Sequence, residues 1–135
     1  MRWNRIGWLS GLGLLMGAAS LYGWTRGREP WLWPLVWIFS AIVLARGVPG
    51  RPFAHGFTAG ALASLVNSVL QVVFLPAYAR HNPEVSQMAT RLPAELTVGQ
   101  FFLVIAPFLA ALSGAVPGLL TLLARRLMRR TAAAS

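Results

Sequence analysis

The sequence predicts an all-α protein embedded in a membrane: a four-transmembrane-helix bundle with a short amphipathic helix between the third and fourth spans. Three observations predict this fold. Apolar residues make up 56% of the chain and charged residues only 11%, a charged fraction well below that of soluble domains. The mean hydropathy is +0.60. The basic residues, all of them arginine, stand at the edges of apolar segments and interrupt none of them.

Four apolar segments approach the length of about 20 residues that a helix needs to cross the hydrocarbon core of a bilayer. Pro30 suits the first turn of the second segment, which is the shortest. Pro107 and Pro117 should kink the fourth, because each removes a backbone donor. The predicted spans, which together form a single integral membrane domain over residues 1–135, cover residues 6–24, 30–48, 53–78 and 98–124.

The longest connection contains a predicted surface helix over about residues 83–92. Asn82 followed by Pro83 is a helix-start signal, and Pro93 ends the segment. Apolar residues recur inside it at helical spacing, opposite a polar face, so we expect the helix to lie on the membrane surface or to cap the bundle. The apolar positions are Val85, Met88, Ala89 and Leu92.

The first span has an alternative interpretation as a signal peptide. Arg2 and Arg5 resemble a charged n-region, and residues 17–19 (GAA) offer small side chains of the kind that a signal peptidase accepts. Against cleavage, the apolar stretch is as long as a span and continues through Leu21 to Trp24. The sequence alone leaves both interpretations open.

The distribution of arginine predicts the topology. With four spans, the side of the membrane that is poorer in arginine receives four of these residues together with all three acidic residues. The positive-inside rule therefore predicts that both termini and the central turn are cytoplasmic. Arginine without lysine is typical of a GC-rich bacterial genome, so we expect a multi-pass protein of the bacterial cytoplasmic (inner) membrane. The richer side receives Arg2, Arg5, Arg46, Arg51, Arg125, Arg126, Arg129 and Arg130.

Small residues at four-residue spacing predict where the helices pack, because close backbone approach drives association in lipid. The first span carries Gly7 with Gly11 and Gly13 with Gly17. Such spacing does not distinguish packing within one chain from dimerisation. The helix-packing residues predicted on the third and fourth spans are Gly56, Gly60, Ala106, Ala110, Gly114 and Gly118.

A polar stripe on the third span is the sharpest candidate for a functional feature. Ser64, Asn67, Ser68 and Gln71 occupy positions i, i+3, i+4 and i+7 and so share one helix face. Amides at membrane depth must face protein or water rather than lipid. One interpretation is interhelical hydrogen bonding, and the other is a polar cavity that binds a small solute, a head group or an ion.

No catalytic residue, metal site or cofactor is predicted. None of the acidic residues falls inside a span, which argues against the pattern of the small four-helix multidrug transporters. His55 and His81 lie at opposite ends of the third span and cannot form one metal site. Cysteine is absent, so thiolate chemistry is excluded. The net charge of +9 is assigned to membrane orientation, and no nucleic-acid partner is expected.

The third span also carries a family resemblance. The run GFTAGALASLVNSVLQVVFLPAY, residues 56–78, followed by NPE at residues 82–84, resembles a family of small bacterial four-helix membrane proteins described as a domain of unknown function. The resemblance covers about the second half of the chain. It implies the four-helix membrane fold, and it implies no biochemical activity.

These observations predict an integral membrane protein of unknown biochemical function. We expect a non-enzymatic assembly or accessory component whose partners are the lipid bilayer and a second copy of the chain or another membrane subunit. The alternative is a small-solute transporter or channel that uses the polar stripe on the third span.

Overall fold

In a computed structural model, which describes residues 1–48 and 50–134, the described chain is all-helical. Three helices, α2, α3 and α6, are long and apolar enough to cross a membrane, which indicates a membrane-embedded protein. The six helices are α1 (Trp3–Leu21), α2 (Glu29–Gly47), α3 (Pro52–Val73), α4 (Leu75–His81), α5 (Pro83–Ala89) and α6 (Val98–Ala134).

The helix α1 has 19 residues but is not among the three sufficiently apolar helices. Asn4, Arg5 and its glycines lower its hydropathy. The helix also ends at Leu21, earlier than the predicted limit at residue 24. The chain then turns through Gly23, whose φ of +74° is a left-handed conformation that favours glycine.

The predicted third span is divided into two helices. The helix α3 ends at Val73 and α4 begins at Leu75, so residues 53–78 are not one continuous helix. Pro76 explains the break, because it cannot donate a backbone hydrogen bond back to Val72. The helix α5 occupies Pro83–Ala89 within the segment predicted as residues 83–92.

The helix α6 extends beyond its predicted end at residue 124 and runs on to Ala134. The C-terminal arginines therefore belong to the helix rather than to a tail. Pro107 and Pro117 both lie inside it, and the helix is continuous through them.

The most extensive contact in the fold joins α3 and α6. A Cβ atom at Gly60 would overlap the carbonyl oxygen of Ser113, and one at Gly56 would lie 2.8 Å from the Cα of Gly118. In return, a Cβ at Gly114 would lie 2.7 Å from the carbonyl oxygen of Phe57. Only glycine allows the two backbones to approach this closely. The predicted positions Ala106 and Ala110 are buried on the same helix.

The helix α1 packs along α3. A Cβ at Gly13 would overlap the backbone of Ala63, and one at Gly17 would meet the side chain of Leu70 at 2.7 Å. In contrast, nothing described lies within 4 Å of the Cβ positions of Gly7 and Gly11. Of the two glycine pairs on this helix, only the second therefore packs within the chain.

The helix α2 packs over half of its length. All of its buried residues lie in its second half, between Ser40 and Ala45. Its first half, from Glu29 to Trp37, is at most partly buried. This leaves an opening between α2 and its neighbours at the end of the bundle where α2 begins.

Candidate binding cavity

The opening beside the first half of α2 is a cavity of about 460 Å³. It lies between α2, the second half of α3 and the middle of α6. Apolar and polar side chains share its wall, and none of the lining residues is basic. They are Glu29, Pro30, Trp33, Trp37, Ser64, Asn67, Ser68, Gln71, Leu109, Leu112 and Ser113.

All four residues of the predicted polar stripe line this one cavity. Ser64, Asn67 and Ser68 are buried, and Gln71 is half-buried. No hydrogen bond joins any of the four side chains to a described residue. Hence the described part of the chain supplies none of the interhelical hydrogen bonds that the first interpretation of the stripe requires.

The serines of the cavity make no hydrogen bond to their own helix, unlike three hydroxyls elsewhere in the fold. Ser10, Thr58 and Thr121 each donate a hydroxyl hydrogen bond to a carbonyl of their own helix, at distances of 2.6–2.8 Å. Ser64 and Ser68 lie on the same kind of helix and make no such bond. Their hydroxyls are therefore free to bond with whatever occupies the cavity.

Asn67 is the most constrained of these groups. Its side chain is only 7% exposed, and its Oδ1 has no hydrogen-bond partner among the described residues. The indole Nε1 of Trp37 is likewise buried and unpartnered. A buried polar group without a partner costs about 1–3 kcal/mol, so the cavity wall contains an unused acceptor and an unused donor. Asn67 Oδ1 lies on the side of α3 that faces Gly17 of α1.

Glu29 lies at the outer end of the cavity, where α2 begins. Ser20 Oγ donates a hydrogen bond to its carboxylate, and Thr25 Oγ1 donates a second at 3.1 Å. The two hydroxyls are themselves 2.9 Å apart. The turn after α1 thereby fixes the carboxylate in position at the cavity wall.

The same turn is tied to α4 by Asn82. Its Nδ2 donates to the carbonyl oxygen of Ser20 at 3.1 Å and to that of Tyr78 at 2.9 Å. Burial raises the pKa of the Tyr78 hydroxyl above its ordinary value, and the negative charges of Glu29 and Glu84 raise it further. Tyr78, which lies beyond the end of α3, therefore stays protonated throughout the physiological pH range.

The two histidines occupy separate places, as their sequence positions imply. His55 is buried near the start of α3, where Nε2 accepts from the backbone N–H of Arg2 at 3.0 Å. Its Nδ1 then carries the proton and donates to the carbonyl oxygen of Arg51 at 2.9 Å. Across the described residues, no three His, Asp or Glu side chains converge in a way that could hold a metal ion.

Sequence reasoning missed the contribution of α2 to the cavity. The predicted second span begins at residue 30 and so excludes Glu29, and Trp33 and Trp37 fall inside it as members of an apolar segment. The two indole rings lie 6.3 Å apart. A helix that is apolar all round offers no stripe to show which face lines a cavity.

No known protein family, no curated protein and no solved structure matches this chain. The family resemblance of the third span therefore stays a prediction, and the cavity itself is the basis for a functional proposal.

Proposed function

We propose that this protein binds a small polar solute within the membrane, in the cavity between α2, α3 and α6, as part of a transporter or channel. The observation that carries the proposal is the Asn67 side chain, which is buried in the cavity wall with no hydrogen-bond partner in the described chain. A side chain that served only to join helices would have such a partner.

The lining favours a neutral or positively charged solute. Glu29 supplies a carboxylate, while Trp33 and Trp37 supply aromatic faces that attract cations. An anion would meet the negative charge of Glu29 with no basic residue in the wall to offset it. A solute that combines an ammonium group with a hydroxyl matches the indoles and the hydroxyls of Ser64 and Ser68 together.

The proposal includes four spans rather than three. The helix α1 runs along α3: the Arg2 N–H donates to His55 near the start of α3, and Gly17 packs against Leu70 near its end. If α3 crosses the bilayer, α1 has to cross beside it. Large exposed apolar side chains on α1, among them Leu14 and Leu15, suit contact with lipid.

A thiol-labelling experiment tests the cavity. The chain has no cysteine, so an introduced cysteine is its only thiol. We expect Ser68→Cys to react with a charged, membrane-impermeant methanethiosulfonate reagent, because Ser68 lines the cavity. Ser40→Cys is the matched control, since Ser40 is equally buried but lies in the packed half of α2. Choline, as a probe solute, should slow the reaction at Ser68→Cys.

Two results would contradict the proposal. If Ser68→Cys reacted as slowly as Ser40→Cys, the cavity would not be open to water. If the reaction were fast but no cationic or neutral probe of suitable size slowed it, the cavity would be hydrated without binding a solute.

A non-enzymatic assembly or accessory role is the second candidate. The observation that favours it is the open flank of Gly7 and Gly11 on α1, where a helix of another subunit could approach closely. The glycines of α3 and α6 do not favour it, because their close contacts are made within the chain.

A further inference from the structure

The opposite end of the bundle carries a recess of about 300 Å³ that is lined by four arginines: Arg51, Arg125, Arg126 and Arg129. None of the lining residues is acidic. The three carboxylates of the chain, Glu29, Glu84 and Glu95, belong to other segments. The lining of the recess is therefore strongly positive.

Two separate elements bring these side chains together. Arg125, Arg126 and Arg129 lie near the C-terminal end of α6, and Arg125 and Arg129 share one face because they are four residues apart. Arg51 precedes the first residue of α3 and has a φ of 49°, a left-handed conformation that is uncommon for residues other than glycine. The close contact of α3 with α6 fixes both elements side by side.

The charge of the recess extends into its surroundings. Arg125 also lines a neighbouring recess of about 450 Å³, which it shares with Arg2, Arg5 and Arg46. Within the described chain, the guanidinium groups of Arg51, Arg126 and Arg129 have no hydrogen-bond or ion-pair partner. Like charges this close repel one another, so an anion that bridges them would lower the free energy of the folded state.

Phosphate is the anion that this arrangement fits. The planar guanidinium group donates two parallel hydrogen bonds to phosphate oxygens, and such charge-assisted pairs are stronger than neutral ones. Several guanidinium groups around one recess can each engage a different oxygen of a single phosphate.

The length of α6 indicates where the phosphate comes from. Its 37 residues extend about 55 Å at 1.5 Å per residue, whereas the hydrocarbon core is only about 30 Å thick. The last turns of α6 therefore reach the level of the lipid head groups. Three exposed apolar residues lie just before and between these arginines: Leu119, Leu123 and Leu127. Their side chains suit contact with the acyl chains that lie below the head groups.

We propose that the recess formed by Arg51, Arg125, Arg126 and Arg129 binds the phosphate group of an anionic phospholipid. The site is distinct from the cavity between α2, α3 and α6 and lies at the other end of the bundle, so it does not depend on the function proposed for that cavity.

The test compares two triple variants of equal charge. The recess variant carries Arg51→Gln, Arg126→Gln and Arg129→Gln, and leaves Arg125 intact. The control variant carries Arg26→Gln, Arg28→Gln and Arg80→Gln, which remove the same charge at the other end of the bundle. Each full-length protein is placed in nanodiscs of phosphatidylcholine with a minor fraction of phosphatidylglycerol. The affinity for phosphatidylglycerol is then measured by titration and by native mass spectrometry of the retained lipid.

We expect the recess variant to lose affinity for phosphatidylglycerol by on the order of 100-fold, because each arginine near an anionic surface contributes about fivefold. The control should change less than about twofold. Equal loss in both variants would overturn the proposal, since general surface charge would then explain binding. A wild-type protein with no preference for phosphatidylglycerol would overturn it as well.

Two further measurements keep the outcome unambiguous. Sodium phosphate is added as a soluble competitor, and displacement of the lipid at low millimolar concentration would assign the recess to a free phosphate compound instead.

If the glutamine variant does not fold, the corresponding Arg→Lys variant keeps the charge but loses the paired hydrogen bonds. It should bind phosphatidylglycerol more weakly than the wild type, and unchanged binding would overturn the guanidinium–phosphate geometry.

Discussion

At the scale of single residues, two buried asparagines show opposite uses of the same side chain. Asn82 is 1% exposed and donates to two carbonyl oxygens, whereas Asn67 is 7% exposed and has no described partner. The first joins the turn after α1 to α4, and the second borders the cavity. The difference predicts that replacing each of them has a different effect on stability and on binding.

Asn67→Leu should change the free energy of unfolding by no more than about 1 kcal/mol, because no hydrogen bond within the described chain is lost. Asn82→Leu is the matched control and should destabilise the protein by about 2 kcal/mol, because it removes two buried hydrogen bonds and leaves the carbonyls of Ser20 and Tyr78 with only their backbone partners. Unfolding in detergent measures both changes in stability.

The same substitution should also affect binding in the cavity. The protection of Ser68→Cys by choline should disappear when Asn67→Leu is added. A large loss of stability at Asn67 would mean that this amide holds helices together.

At the scale of helices, α3 is the central element, and its faces have different roles. One face meets α6 through Gly56 and Gly60, and another receives α1 at Ala63. The face that carries Asn67 and Ser68 borders the cavity. A single helix thus sets the spacing of the bundle and supplies the polar groups of the candidate site.

The close contact between α3 and α6 predicts a strong dependence on glycine at position 60. Gly60→Ala should destabilise the protein by about 1–3 kcal/mol, because the added methyl group would overlap the backbone of Ser113. Gly11→Ala is the control: its Cβ position has nothing described within 4 Å, so a gain of about 0.5–1 kcal/mol is expected from the better helix former. Equal stability of the two variants would contradict the close-packing account of this contact.

Much of this element-level picture could be predicted from the sequence. Four-residue spacing identified Gly56 and Gly60 as contact positions, and helical spacing grouped Asn67 with Ser68 on one face. The break before Pro76 was missed because the surrounding residues remain apolar and continue the hydropathy of a span. The helix boundary depends on a single missing backbone donor, which a hydropathy profile does not register.

Of the residues that line the cavity, the sequence predicts those of α3 but not those of α2. The polar residues of α3 stand out because amides are rare in spans, but Glu29 and Trp37 reach the same cavity only through the way α2 packs. Its second half is buried and its first half stands apart, and this depends on the shapes of the neighbouring helices. No periodicity in a uniformly apolar helix encodes that difference.

At the scale of the whole molecule, the two ends differ in charge. Eight arginines belong to one end, while the acidic residues and the cavity belong to the other. Such a distribution determines orientation in a membrane, because cytoplasmic loops are rich in arginine.

Reporter fusions test this orientation. A reporter fused to the C-terminus, or inserted in the turn after Gly47, should report a cytoplasmic location, since both sites belong to the arginine-rich end. A reporter inserted near Gln87 should report the exterior. With an even number of spans, both termini lie on one side, so termini on opposite sides would contradict the four-span arrangement, and a C-terminus exposed to the exterior would contradict the predicted orientation.

The order of the helices along the chain has a consequence for biosynthesis. The backbones of the consecutive helices α1 and α2 stay apart and are joined by side chains such as Ile6 and Leu44, whereas α1 packs closely on α3, and α2 packs chiefly on α6. The first hairpin to leave the ribosome therefore lacks the close backbone packing that α3 and α6 supply. We expect α2 to remain loosely held, in the translocon or in lipid, until α6 has been made. A chain that stops before residue 98 should then be recognised and degraded as an orphan, even though α1, α2 and α3 are complete.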